Sequence, residues 1–260
     1  PSLRSGLGQS TKRSPESKFS DKQMGPFFRF PHTPHLTWLG NGPVRDDKVF
    51  TSQEAIAFLS QPVAIEEKVD GANIGFSLNA SGELQIQQRS DYLQAPYSGQ
   101  FSSLERWLKV HVDDLRVFLH DPEHRQLILF GEWCAARHSV AYTHLPDPFL
   151  LFDIADRAAQ RFWSRQRRNE VAALLQLATV PLLQPEAHHR LDRLTDEMEH
   201  YQSHFHPGPP EGIILRHDDP NWCLARAKLV RPDFTQAIEE HWRSRPIEWN
   251  GIDYSLAFSS

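Results

Sequence analysis

From Pro62 onward, short apolar-rich segments alternate with clusters of Asp, Asn, Ser and Gly, the punctuation of antiparallel strands. Val63–Lys68 reads as a strand that Asp70-Gly71 turns, and Ala72–Leu78 as the next strand. Asn79-Ala80-Ser81-Gly82 makes a second turn into a strand over Glu83–Arg89. Further strands are predicted over Gln126–Cys134, Phe149–Ile154, Gly212–Arg216 and Trp222–Val230. Helical segments lie between them. Thr51-Ser52-Gln53-Glu54 has the form of an N-terminal cap with its acid, leading into Ala55–Leu59. Ser102–Leu119, Gln166–Leu177 and Phe234–Trp242 have apolar spacing near 3.6. The pattern predicts one α+β domain of mainly antiparallel sheets with flanking helices.

Composition narrows the function classes. The 260 residues are 39% apolar and 23% charged, and no apolar run approaches the length of a membrane span, so no membrane partner is expected. The net charge of −5 confines any nucleic-acid surface to a local patch. Two cysteines far apart, Cys134 and Cys223, exclude a disulfide scaffold and favour an intracellular protein, cytoplasmic or nuclear. Residues 1–29 are basic and serine-rich and are expected to form a disordered tail. Their poor amphipathic pattern disfavours organelle import. Residues 30–245 then make up the domain and 246–260 a C-terminal tail.

Lys68-Val69-Asp70-Gly71-Ala72-Asn73 is the sharpest local feature. A lysine held at a strand end before an Asp-Gly turn can serve as a nucleophile once burial and neighbouring cations lower its pKa. The bland alternative is a plain hairpin. A Lys-x-Asp-Gly match arises by chance in roughly one chain in twenty of this length, so the motif decides nothing alone. Downstream, however, stand Gln88-Arg89-Ser90, Phe130-Gly131-Glu132-Trp133, Phe152-Asp153-Ile154, Glu211-Gly212-Ile213-Ile214-Leu215-Arg216 and Arg226-Ala227-Lys228-Leu229-Val230. Each places a charged or aromatic residue at the border of an apolar strand. Together they supply a nucleophile, acids for a divalent metal, cations for phosphates and an aromatic face for a base.

This ordered series resembles the nucleotidyltransferase motifs shared by ATP-dependent DNA ligases, RNA ligases and mRNA capping enzymes. It most resembles the RNA ligase 2-like group, from about Phe30 to Arg245. The resemblance implies a nucleotidyltransferase (ATP-grasp-like ligase) domain that is an ATP-dependent RNA ligase using Mg2+ or Mn2+. In that reading Lys68 takes AMP as a phosphoramidate, Glu67 sits near the adenine edge, and Asn73 near the ribose or an incoming phosphate. Arg89 contacts the nucleotide or the end phosphate. Glu132 holds the ribose hydroxyls, Phe152 stacks on adenine, and Glu211 binds or orients the metal. Arg226 and Lys228 face the α-phosphate and the departing pyrophosphate. The implied partner is RNA, including an RNA/DNA hybrid or a nicked duplex, bound by a monomer.

Two departures qualify the resemblance. The last motif often has two lysines where this chain has Arg226 first, and Asp70 is more typical of DNA ligases. Only about thirty residues follow Lys228, too few for the C-terminal oligonucleotide-binding (OB) barrel of DNA ligases and capping enzymes, so no OB barrel is expected. The competing readings are a minimal DNA nick ligase and a non-catalytic nucleic-acid-binding module of the same fold. Among weaker features, Arg161, Arg165, Arg167 and Arg168 could touch a nucleic-acid backbone or start a solvated helix. His188, His189, His200, His204 and His206 have partial metal-ligand spacing without a completing cysteine or acid.

Overall fold

The computed structural model describes residues 27–40, 48–237 and 246–253. Helix α1 (Ser52–Leu59) opens on the predicted capping box: Thr51 Oγ1 accepts from Glu54 N at 3.2 Å, and the Glu54 carboxylate accepts from Thr51 N at 2.8 Å. Strands β1 (Val63–Lys68), β2 (Ala72–Leu78), β3 (Leu84–Gln88) and β4 (Tyr92–Leu93) follow, then α2 (Leu104–His120), β5 (Leu127–Trp133), β6 (Phe149–Asp156) and β7 (Arg161–Trp163). The chain continues through α3 (Arg165–Leu174), β8 (Leu182–Ala187), α4 (Leu191–Met198), β9 (Gly212–Asp218), β10 (Trp222–Val230) and α5 (Pro232–Ala237). The sequence pattern did not show β4, β7, β8 or α4. The predicted helix over Phe234–Trp242 coincides with α5 up to Ala237, and its remainder lies outside the described residues, as does most of the basic segment at the start.

The ten strands among the described residues join one antiparallel sheet in the order β4-β3-β2-β5-β6-β7-β10-β9-β1-β8. The order overturns the predicted hairpin at Asp70-Gly71. β1 pairs with β8 and β9, whereas β2 pairs with β3 and β5, so these two residues carry the chain from one half of the sheet to the other. Asp70 is held there by other partners: its Oδ2 accepts from Ser139 N at 2.7 Å, Ser139 Oγ at 2.6 Å and Val140 N at 3.0 Å. Gly71 is needed for space rather than for turning, since a Cβ at this position would lie 2.5 Å from the Trp133 carbonyl oxygen.

Side-chain alternation gives each half of the sheet two different faces. In the β1-β9-β10 half, Val63, Ile65, Ile213, Leu215, Ala227 and Leu229 are buried against α1 and α4. Glu66, Lys68, Ile214, Arg216, Arg226 and Lys228 are consequently left on the opposite face. In the other half, Ile74, Phe76, Leu129, Trp133 and Phe149 pack with α2 and α3 residues in the largest core. Phe130 and Phe152 belong to a separate aromatic cluster. The two polar-aromatic faces enclose a cleft of about 450 Å³.

A bulge shapes that cleft. Phe130 pairs with Asp153 but Gly131 pairs with Leu151, so Phe152 is an extra residue in β6. This register shift lets the consecutive residues Phe152 and Asp153 both line the cleft, which a regular strand would forbid.

Behind the cleft the two halves are joined by buried ions. Arg168 on α3, 1% exposed, donates to Glu66 Oε1 of β1 at 2.6 Å and to the Phe152 carbonyl of β6 at 2.8 Å. Arg216 donates to Asp153 Oδ1 at 2.6 Å and to the Trp163 carbonyl at 3.2 Å. Thus the predicted basic cluster, divided between β7 and α3, does not act as one surface. Arg168 is a buried strut, while the Arg167 and Arg161 guanidinium groups lie over the Trp163 and Trp222 rings at 3.6 and 4.5 Å. Arg168→Met is expected to cost about 3 kcal/mol, because Glu66 would stay buried with only Arg216 Nε, 3.9 Å away, as its counter-charge. A calorimetric melt should show this as a drop of about 10 °C. The double variant Glu66→Leu/Arg168→Met should regain most of it, and no recovery would count against the pairing as the cause.

Candidate active site

Lys68 ends β1 with Gly212 as its cross-strand partner, which places the residue before Gly212 beside it. Lys68 Nζ donates to Glu211 Oε2 at 2.6 Å. A Cβ on Gly212 would meet the Leu229 carbonyl oxygen at 2.4 Å, so only glycine lets β9 begin this close to β10 beneath Glu211. The lysine is therefore surrounded by acids rather than by the cations that the sequence reading supposed. Burial pulls its pKa down, but the carboxylates of Glu211, Asp70 and Glu132 outweigh that and hold it above the ordinary lysine value. Burial conversely pushes Glu211 up to about 7 and Glu132 up to about 8, only partly relieved by the Lys68 ammonium.

Those two carboxyls set an expected pH dependence. Both ionise near 4.5 in an unfolded chain but hold their protons to higher pH when folded. Unfolding thus releases protons between about pH 4.5 and 8, and linkage requires stability to fall as pH rises through that window. Glu132→Gln, which cannot ionise and keeps an oxygen for Gly71 N (now 3.1 Å from Glu132 Oε1), should melt like the parent near pH 5. At pH 8 it should melt several degrees higher, at about 2–4 °C per kcal/mol relieved. Parallel pH profiles for the two proteins would show that Glu132 is not the source.

Opposite the lysine, Asn73 and Glu132 are cross-strand partners on β2 and β5. Asn73 Oδ1 is buried without a hydrogen-bond partner and lines the cleft. An orphaned acceptor in such a place is ready for a hydroxyl or amine of a ligand. Phe152 lines the same cleft, with the Phe30 ring at 5.3 Å and nearly perpendicular to it.

Of the remaining predicted site residues, Lys228 lies on the Lys68 face of β10 and helps lower the Glu211 pKa against burial. Arg226 also lines the cleft, but its guanidinium pairs with Asp153 Oδ2 and lies over Phe30 and Phe162 at 4.6 and 4.2 Å. Burial alone would raise the Asp153 carboxyl, yet Arg226 and Arg216 outweigh it and hold it below the usual range. Arg89 donates to the His32 ring at 2.9 Å at the cleft rim. Glu67 borders the cleft with its carboxylate turned to Ser203 Oγ at 2.6 Å and His204 N at 2.9 Å. Burial raises its pKa despite those bonds.

The cleft therefore brings together eight of the nine predicted residues along its walls, with Glu211 bonded to Lys68 just behind. It adds Glu66, Asp153, Arg216, Gln100, His138 and the segment Phe30–Thr33, to which sequence reading gave no role. A charged residue inside an apolar strand must find a partner when buried, and that signal could have marked Glu66, Asp153 and Arg216. Nothing local marked Phe30. The histidines offered as metal ligands do not assemble: no group of three or more His, Cys, Asp or Glu able to hold a metal occurs among the described residues.

The sequence profile of the RNA ligase family matches residues 61–230, from just before β1 to the end of β10. This chain belongs to the RNA ligase family. Its fold is similar to that of Naegleria gruberi RNA ligase. A mutant form of that protein with ATP and Mn superposes with a TM-score of 0.56 at 16% identity, over 82% of this chain and 64% of that one. The form with PPi gives 0.55 at 18% identity, over 80% and 61%. A further mutant with AMP and Mn gives 0.53 at 16% identity, over 84% and 65%. This RNA ligase family chain thus spans less than two thirds of the length of the Naegleria chains it resembles. A search of curated protein sequences returns no match. No helix among the described residues is long and apolar enough to cross a membrane.

Proposed function

We propose that this chain is an ATP-dependent RNA ligase that joins 5′-phosphate and 3′-hydroxyl ends through a lysyl-AMP on Lys68. The observation that carries the reading is the position of Lys68. Its amine lies 2.6 Å from Glu211 in a cleft whose facing walls supply Asn73 Oδ1, Phe152 and Lys228. In the first step Lys68 Nζ, after losing a proton, bonds to the α-phosphorus of ATP. The bond from that phosphorus to the oxygen bridging to the β-phosphate breaks, and pyrophosphate leaves. AMP then passes to a 5′-phosphate, and a 3′-hydroxyl attacks that activated end and expels AMP. Lys228 lends charge to the phosphates. Arg226, clamped by Asp153 and two rings, keeps the aromatic wall in place as well as contributing charge.

The acids fit a divalent cation of the Mg2+ or Mn2+ type. Buried Glu211 and Glu132 are hard oxygen donors short of positive charge, and such ions take one or two carboxylates together with substrate phosphates. Held by Glu211 and the triphosphate, the ion would neutralise charge on the transferring phosphate.

The test has two parts. Protein incubated with ATP or GTP labelled at the α-phosphate, plus magnesium, should carry label from ATP alone through denaturing electrophoresis. Among four nicked duplexes with RNA or DNA on each side, those with a ribonucleotide at the 3′-hydroxyl should seal fastest, since an A-form minor groove offers 2′-hydroxyls to read. Preference for the all-DNA nick would move the chain to the DNA ligase reading.

A further inference from the structure

Residues 27–36 cross the mouth of the cleft from one half of the sheet to the other. On the β3-β4 side, Gln87 Nε2 donates to the Phe28 carbonyl at 2.8 Å, Phe27 packs edge-on against Tyr92 at 5.1 Å, and His32 meets Arg89. On the β10 side, Lys228 N donates to the Pro34 carbonyl at 2.9 Å and Leu36 N to the Lys228 carbonyl at 2.8 Å. The strap is thus anchored at both ends. Between the anchors, the backbones of Phe30, Pro31 and Thr33 make no hydrogen bond to other described residues, although all three line the cleft. This stretch precedes residues 61–230, so the match to the RNA ligase family assigns it nothing.

Phe30 does not sit loosely. Its ring meets Phe130, Phe152 and Phe162 at 5.0, 5.3 and 5.4 Å, in each case steeply inclined, and the Arg226 guanidinium covers it at 4.6 Å. Phe30 and Phe152 form an aromatic corner, with planes 78° apart. A flat base stacked on one wall of such a corner presents its rim to the other wall and to the adjoining backbone. The N–H groups of Phe30 and Thr33 and the carbonyls of Phe30, Pro31 and Thr33 belong to residues that line the cleft and can donate to or accept from such a rim.

We propose that the strap is the wall that recognises the nucleobase edge, with Phe30 as the contact that sets base selectivity. This rests on the reading that the cleft binds ATP. Base selection then belongs to a segment anchored on both halves of the sheet.

The test uses the full chain and three proteins: parent, Phe30→Leu, which keeps apolar packing but removes the flat ring, and Phe30→Ala. Thermal melts should show Phe30→Leu close to the parent. Lysyl-AMP formation should show KM for ATP raised about tenfold in both variants, a saturated rate within about threefold, and a narrowed preference for ATP over GTP. Calorimetric ATP binding should weaken in parallel and needs no covalent step. Unchanged or lower KM and Kd in a folded Phe30→Leu protein would overturn the proposal, a lower value meaning that the strap obstructs the site. A parent that binds ATP but takes no label would sink the ligase reading alone, and the strap would then stand or fall on the calorimetric difference. A parent that binds no ATP would remove both.

Discussion

Lys68→Ala and Lys68→Arg proteins are expected to take up no label from α-labelled ATP under conditions in which the parent is labelled to completion. Alanine has no nucleophile. Arginine keeps the positive charge opposite Glu211 but stays protonated at any pH the protein survives, so it cannot attack phosphorus. The pair of variants separates chemistry from charge, since Lys68→Arg should retain much of the local ion pairing and fold like the parent. A rising rate with alkaline pH belongs to the same expectation. The surrounding acids hold the Lys68 pKa above its ordinary value, so the reactive free amine grows as pH climbs toward it. Label retained by either variant would show that the lysine of the first motif is not the nucleophile.

Glu211→Ala is expected to lower the adenylylation rate by about 10²–10³, the usual scale for losing one preorganised electrostatic group. The sign of this effect is informative. Glu211 is the carboxylate 2.6 Å from the Lys68 amine and among the acids that hold it protonated. Were that its whole role, removing it would lower the lysine pKa and speed attack at pH 7. A slower reaction that extra magnesium fails to restore therefore means that Glu211 orients the amine and the metal. Glu211→Gln should remain nearly as slow, because the amide can bond the amine but carries no charge. Single-turnover labelling at several magnesium concentrations measures all three proteins, and a faster Glu211→Ala enzyme would overturn the assignment.

Most strands and the lysine proposed as nucleophile were legible because their signals are local. The Thr51–Glu54 box names its own helix start, and the order of five charged-aromatic motifs survives any rearrangement of the strands. The short strands β4 and β7 and the polar strand β8 carry too few apolar residues to stand out, with β8 exposed or half-buried along its length. Asp70-Gly71 shows the opposite failure. It has the composition of a hairpin turn, but composition does not reveal which strand a strand pairs with. Here β1 finds β9, about 150 positions away, and the chain crosses the sheet instead of turning back. Arg168 misled for a similar reason. A run of arginines reads as a wet surface until one of them meets Glu66 across a distance the sequence does not encode.

By itself, then, the sequence determined the residue types available to the site and the strand borders on which they stand, because strand alternation and motif order are properties of neighbouring positions. Only the tertiary structure decided which charges are satisfied by one another and which face the cleft. Lys68 meets Glu211, Arg226 is taken by Asp153, and Asn73 Oδ1 is left without a partner. Those outcomes depend on the sheet order and on the bulge at Phe152, since burial and pairing are set by contacts between residues far apart in the chain. The same is true of Phe30, an unremarked aromatic until the fold lays it across the mouth of the site.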